Sequence, residues 1–256
     1  MDDKRSWRSS VGILQNGQSW NDVNKIFPQT PASPVMVNAG IIVFIATIFF
    51  IISFTSPYWL VSYHYTYSSF ENMGLWEFCF NEFRYPQYQF DRKFDGCNYI
   101  YSEEYLIIRE WMLPAWFATV QAFMIIALLS SFSSLIIISL VLTRLPMQFT
   151  IRYEWHLTGI ACICQGVSGV SILFAVLIFG TSCFRRDWLL NPNFNYLSWS
   201  YAFAVFSGGI HAFGGLTLLH ETYKARDRKR QATNLLHNEP QGQLGPGIPM
   251  EGQVYM

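Results

Sequence analysis

Four long stretches of the chain are made almost entirely of apolar residues, and polar segments separate them. No Asp, Glu, Lys or Arg interrupts any of the four, and the last contains one ionisable group, His211. A bilayer core about 30 Å thick is crossed by roughly 20 apolar helical residues. The pattern therefore predicts four membrane-spanning helices, which cover approximately residues 35–56, 113–142, 157–183 and 197–219.

Composition supports a membrane protein. The chain is 51% hydrophobic and 13% charged, whereas soluble domains carry about 25% charged residues. Residues 1–34 are polar, and we expect them to be a disordered tail without a cleavable signal peptide. The first span would then act as an uncleaved anchor. The formal net charge is zero and indicates no particular partner beyond the lipid bilayer; we expect no nucleic-acid partner.

The distribution of basic residues predicts the orientation. Most of the 17 Lys and Arg residues fall in the N-terminal tail, in the loop at 143–156 and in the tail at 221–256. Basic residues concentrate on the cytoplasmic side of membrane proteins. We therefore expect both termini to be cytoplasmic and the loops at 57–112 and 184–196 to lie outside the cell. A basic cluster beside a membrane typically attracts anionic lipid, and this is our interpretation of the segment after residue 220.

The first outside loop has the pattern of a small antiparallel β-sheet. Apolar and aromatic residues alternate with period two from Tyr58 to Tyr67, which favours a strand. A turn is expected at 68–72, followed by strands at Met73–Phe80 and around Phe94–Tyr99. The predicted fold is a membrane all-α four-helix bundle with a small extracellular antiparallel β-sheet. Ser102 is a candidate N-cap for a short helical segment that leads into the second span.

Two of the five cysteines predict a disulfide. Only Cys79 and Cys97 lie well inside an outside loop, where disulfides persist. We expect them to tie two strands together. Cys162 and Cys164 fall within the third span and suit a role as small apolar groups. Cys183, at the outer end of the same span, is expected to be buried and inert.

A set of residues around this loop occurs in a specific order and topological place. It comprises Pro57, Trp59, Gly74-Leu75-Trp76, Cys79, Cys97, Arg109 and Asn191-Pro192 followed by Phe194. In this arrangement the chain resembles the claudin superfamily over about residues 35–220. The long N-terminal tail and the long segment between the cysteines are most similar to invertebrate claudin-like proteins of septate junctions. The resemblance implies a left-handed four-helix bundle that carries an extracellular sheet.

The resemblance also implies a function. Claudins polymerise side by side and across cells, and they seal or tune the space between epithelial cells. We therefore expect a structural protein of lateral cell–cell junctions at the plasma membrane, with itself or other claudin-like proteins as partners in cis and in trans. The alternative is an auxiliary subunit of a membrane channel or receptor. The long segment between the cysteines prevents any prediction of ion selectivity.

Two roles are open for the aromatic residues of the loops. In the first, Gly74-Leu75-Trp76 anchors the sheet to the outer end of the bundle, and large exposed rings contact partners. In the second, the rings form the core of the sheet, and for Trp59 and Trp76 both roles stand. The candidate contact residues are Phe70, Phe80, Phe83, Tyr85, Trp188 and Phe194.

The chain ends in Val254-Tyr255-Met256, with apolar residues at the last and third-last positions. Such C-terminal peptides add a strand to PDZ domains, and backbone donors capture the carboxylate. A PDZ scaffold is therefore a candidate cytoplasmic partner.

His211 is the one intramembrane ionisable residue, and such residues are candidates for function. No second His or carboxylate lies near it in sequence. We expect a neutral His that is hydrogen-bonded to a neighbouring helix, near Gln121 or Gln165, rather than a metal or proton site. The sequence contains no paired-His metal motif, no Cys–His nucleophile pattern and no phosphate loop. We predict neither an enzyme nor a cofactor.

Overall fold

A computed structural model describes residues 33–85, 92–144, 147–186, 188–189 and 192–238. Four long helices, each long and apolar enough to cross a membrane, dominate these residues. This finding confirms the four predicted spans. The helices are α1 (Pro34–Thr55), α2 (Ala115–Thr143), α3 (Met147–Ser182) and α4 (Trp199–Asn238).

Small and hydroxyl-bearing residues line the contacts between the helices. A Cβ atom placed on Gly169 would lie 3.5 Å from the backbone nitrogen of Ala212, so α3 and α4 approach closely. Thr47 of α1 and Ser131 of α2 share a hydrogen bond of 2.7 Å. Without a hydrophobic force between helices in lipid, such close packing and polar bridging hold membrane helices together. Large apolar side chains such as Ile163 point outward instead.

Five antiparallel strands form one sheet at one end of the bundle. They are β1 (Leu60–Ser62), β2 (Phe70–Met73), β3 (Glu77–Arg84), β4 (Lys93–Tyr99) and β5 (Asn195–Leu197). The order across the sheet is β4-β3-β2-β1-β5. The antiparallel sheet is thus confirmed, and β5 shows that the second loop contributes to it as well.

The first predicted strand is much shorter than expected. Only Leu60–Ser62 forms a strand, and a 3₁₀ helix at His64–Thr66 follows. The hydroxyl and backbone N–H of Thr66 both donate to the carbonyl of Tyr63, at 2.6 and 3.1 Å, and so close the turn. Tyr67 then has a φ of 48°, in the left-handed region. The strand prediction over Tyr58–Tyr67 is wrong outside β1, because local side-chain bonding overrides the alternating pattern.

The first hairpin turn also lies elsewhere. The expected turn at 68–72 is largely strand β2, and the chain turns at Gly74–Trp76 instead. The N–H of Gly74 donates to the carbonyl of Glu77 at 2.9 Å and closes this turn. The predicted strand over Met73–Phe80 is therefore divided between β2 and β3. The strand predicted around Phe94–Tyr99 is confirmed as β4.

The segments that join sheet and bundle differ from the prediction in detail. Ser102 occupies the N-cap position of a 3₁₀ helix at Glu103–Tyr105, but its side chain makes no capping hydrogen bond. A one-turn helix at Arg109–Met112 follows, and Pro114 is the N-cap residue of α2.

At the opposite end, α3 begins ten residues before the predicted span and α4 continues to Asn238. The predictions for residues 1–32, and for Val254-Tyr255-Met256, fall outside the described residues.

Candidate functional site

The disulfide joins the two longest strands. Cys79 of β3 and Cys97 of β4 are directly opposite in the strand register and are covalently linked. The predicted disulfide is confirmed. It fixes the edge strand β4 to the rest of the sheet. Cys183 is a free and buried thiol, as expected, whereas Cys162 and Cys164 are half-buried in α3.

Most rings that we predicted as contact groups are part of the hydrophobic core. Phe70, Phe80, Phe83 and Trp188 are buried, and Tyr85 is half-buried. Phe80 and Phe83 stack at 4.7 Å between ring centroids. The structure thus places these rings in the core and not on the surface predicted for them, because one face of the sheet is covered. Only Phe194, 45% exposed, lies at the surface.

Tyr105 supports this core from the segment after β4. Its hydroxyl donates to the carbonyl of Phe78, at 2.9 Å, and its ring meets Phe80 edge-on at 5.8 Å. Burial raises the pKa of the Tyr105 hydroxyl. The group therefore stays protonated and remains a donor to β3.

Trp59 lies where the sheet meets the bundle. It is fully buried, and its indole N–H donates to the carbonyl of Ser53 in α1 at 2.8 Å. Its ring packs edge-on against Phe179 of α3 and Tyr201 of α4, at 5.0 and 5.7 Å. One side chain thus connects the start of the sheet with three helices.

Gly74 brings the first hairpin turn against the end of α1. A Cβ atom at this position would lie 2.4 Å from the carbonyl oxygen of Ser56 and 2.6 Å from Cα of Pro57. Both neighbours are backbone atoms, which cannot rotate away. The approach therefore requires a residue without a side chain.

The rest of the turn is attached through the buried amide of Gln121, which is one of the two residues that the sequence offers as a partner for His211. Gln121 of α2 donates from Nε2 to the carbonyl of Leu75 at 2.6 Å, and its Oε1 accepts from the Tyr101 hydroxyl at 3.2 Å. Leu75 is fully buried, and the Trp76 ring lies 5.1 Å from that of Phe54 in α1. The sequence feature that points to Gln121 is its polar amide within an apolar span, where polar groups are rare and have specific partners.

Trp188 connects the second loop to the first. Its ring meets Trp116 of α2 edge-on at 4.7 Å, lies 5.9 Å from Phe117, and approaches Phe78 of β3 at 6.4 Å. The second loop is therefore packed against both the sheet and α2. Arg109 is half-buried at the start of the one-turn helix before α2.

A group of exposed rings lies at the other edge of the sheet, near β1 and β5. Tyr63 stacks on Tyr65 at 5.2 Å and contacts Tyr196 of β5 at 4.8 Å. Tyr65 is 71% exposed and Tyr67 is 95% exposed. We call Tyr63, Tyr65, Tyr67, Phe194 and Tyr196 the tyrosine surface. In the sequence this surface is visible only as an alternation of tyrosines, a pattern that by itself predicts a strand.

His211 has the partner expected of it. Its Nδ1 lies 2.6 Å from Oε1 of Gln165 in α3, and both side chains are buried. Gln121, the other candidate partner of His211, instead bonds Leu75 and Tyr101 and so attaches the sheet to α2. Within the described part of the chain, no group of three His, Cys, Asp or Glu side chains is placed to hold a metal ion.

These features define a class: a four-span membrane protein whose bundle carries a disulfide-linked sheet. Residues 44–220 match the model of the family described as PMP-22/EMP/MP20/Claudin tight junction. The match covers more than half of the chain, and the protein belongs to this family. No curated protein matches the sequence significantly.

Proposed function

We propose that this protein is a structural component of occluding cell–cell junctions and that it limits diffusion between cells. In this proposal both termini are cytoplasmic, and the sheet faces the space between lateral membranes. The excess of basic residues in the tails and in the loop at 143–156 supports this orientation. A disulfide in the sheet supports it as well, because disulfides persist outside the cell.

The tyrosine surface is the observation that carries the proposal. It is an exposed group of rings at one edge of the sheet, and Trp59, Gly74 and Gln121 hold that sheet against the bundle. Aromatic residues are enriched in protein interfaces, and tyrosine adds a polar hydroxyl to a large apolar area. The Tyr63 ring already packs against Tyr65 and Tyr196, so it needs less ordering when a partner binds. We propose that it contacts the same protein, or another claudin-like protein, in cis or in trans.

A second candidate function has its own observation. Tyr58 and Trp199 are both exposed, with rings 5.6 Å apart, and Phe203 continues this run along α4 at 5.5 Å from Trp199. The exposed rings of Tyr58 and Trp199 lie at the start of α4, where a partner in the same membrane can reach them. An auxiliary subunit of a channel or receptor would use such a lateral surface.

Localisation separates the two functions. The tagged full-length protein is imaged in an epithelium in which expressing cells border non-expressing cells. A junction protein that binds across cells should concentrate at borders between two expressing cells and disappear from borders with non-expressing ones. Uniform staining of the whole plasma membrane would contradict the proposal and favour an auxiliary subunit.

A further inference from the structure

The helix α4 carries a run of basic residues beyond the end of the apolar bundle. Leu219 is the last residue of the apolar stretch, and the helix continues through Lys224–Arg230 to Asn238. This segment of α4 packs against the first turns of α3. The structure divides its basic residues into two groups with different surroundings.

Arg228 belongs to the contact with α3. Its Nη2 lies 3.0 Å from Oε1 of Glu154 in α3 and 3.0 Å from Oε1 of Glu221 in α4. Glu221 is only 2% exposed, and Ala225, one turn further along, is also buried. Glu221, Ala225 and Arg228 are spaced i, i+4 and i+7, so they share the helix face that α3 covers.

Lys229 is also directed at α3. Its Nζ lies 5.7 Å from the centroid of the Trp155 ring. A cation at this distance from an indole face is attracted to the ring. Both Arg228 and Lys229 therefore have partners that hold this part of α4 against α3.

Lys224, Arg226 and Arg230 have a different environment. All three are exposed, as Arg228 and Lys229 also are, but among the described residues none of the three forms an ion pair or a cation–π contact. Arg226 and Arg230 are four residues apart on the side of α4 that faces away from α3. At a rise of 1.5 Å per residue, the three lie about 7 to 16 Å beyond Leu219 along the helix. The headgroup layer is about 5 to 8 Å thick, and long basic side chains extend back toward it. Asp227 is the exposed acidic residue among them.

We propose that Lys224, Arg226 and Arg230 bind the anionic headgroups of phospholipids in the adjacent leaflet, whereas Arg228 and Lys229 fix the helix that presents them. Two observations point to anionic lipid as the ligand. The three side chains are positively charged, and they directly follow a membrane-spanning stretch. The inference goes beyond the junction function and does not depend on it.

The test uses the full-length chain in phosphatidylcholine bilayers that contain a trace of spin-labelled phosphatidylserine or spin-labelled phosphatidylcholine. The electron spin resonance spectrum measures the fraction of label at the protein boundary, and hence the preference for the anionic lipid. The wild-type chain should prefer phosphatidylserine. The triple variant Lys224→Gln, Arg226→Gln, Arg230→Gln should lose that preference, by up to about fivefold for each residue removed. High salt should weaken the wild-type preference.

Arg228→Gln is the matched control, because it removes one positive charge from the same helix. It should keep the lipid preference and lower the midpoint of thermal unfolding, since Glu221 loses a cation. Asp227→Asn removes the exposed acidic group and should raise the preference. The proposal is overturned if the triple variant keeps the wild-type preference, if Arg228→Gln loses as much preference as the triple variant, or if Asp227→Asn changes nothing.

Discussion

Gly74→Ala is the sharpest test of how the sheet is attached to the bundle. The substitution adds one methyl group where the turn between β2 and β3 meets the end of α1. That methyl carbon would lie 2.4 Å from the Ser56 carbonyl oxygen and 2.6 Å from Cα of Pro57. Both contacts are far shorter than ordinary van der Waals contact, and neither neighbour is a flexible side chain.

The expected cost follows from this geometry. Relief requires the turn to move away from α1 by roughly 1 Å, and the move strains the hydrogen bond from Gln121 to Leu75. Overpacking costs about 1–3 kcal/mol, occasionally more. Because two backbone contacts are involved, we expect Gly74→Ala to lower the free energy of unfolding by about 3 kcal/mol. This is a large share of a typical unfolding free energy of about 5–15 kcal/mol.

The assay is thermal unfolding of the purified chain in detergent, together with surface biotinylation in epithelial cells. Gly74→Ala should lower the unfolding midpoint and reduce the fraction at the cell surface. Gly209→Ala is the control, because a Cβ there meets nothing within 4 Å and the residue lies within α4. That substitution should be neutral or stabilise the helix by up to about 1 kcal/mol. If Gly74→Ala unfolds at the wild-type temperature, the close attachment is refuted.

Three further predictions concern the disulfide, the buried amide and the C-terminus. Cys79→Ser or Cys97→Ser should cost about 3 kcal/mol and abolish surface delivery or junction localisation; normal localisation of both variants would argue against a required disulfide. Gln121→Met keeps the side-chain length but removes the donor to the Leu75 carbonyl, and it should cost about 1–3 kcal/mol in thermal unfolding; wild-type stability would show that the amide does not hold the turn. A peptide of the tail should bind a junctional PDZ domain, and deletion of Met256 should abolish binding; a peptide that binds none, with normal localisation of the deletion variant, would exclude this partner.

The spans were predictable because length and apolarity are local properties of the sequence. The stretch at 35–56 became α1 at Pro34–Thr55 almost residue for residue. The extensions of α3 and α4 were not predicted, because a helix beyond the bilayer needs no apolar run. Its stability comes from contacts such as that of Arg228 with Glu154, which lie far apart in sequence.

The sheet was predictable only in part. The pairing of Cys79 with Cys97 follows from topology, whereas the short strand β1 depends on partners on both sides, β2 and β5. Alternating tyrosines could not reveal that the chain leaves the sheet after Ser62. Tertiary contacts commonly decide whether a segment with a strand-like pattern forms a strand.

Most of the candidate contact residues are buried, for a related reason, and Phe194 is the exposed exception. An aromatic residue in a loop can face a partner or the core, and sequence does not say which face of the sheet the rest of the chain covers. Phe80 and Phe83 proved to be core, whereas Tyr65 and Tyr67 are the exposed rings. Burial, and not residue type, therefore locates the candidate surface.

The passage of a small fluorescent dye between epithelial cells tests the central claim most directly. Dye flux is measured across an epithelium that lacks the protein and again after the wild-type chain is restored. Our account predicts that loss lets the dye pass between cells and that the wild-type chain restores exclusion. Intact dye exclusion in the epithelium without the protein would contradict a barrier function.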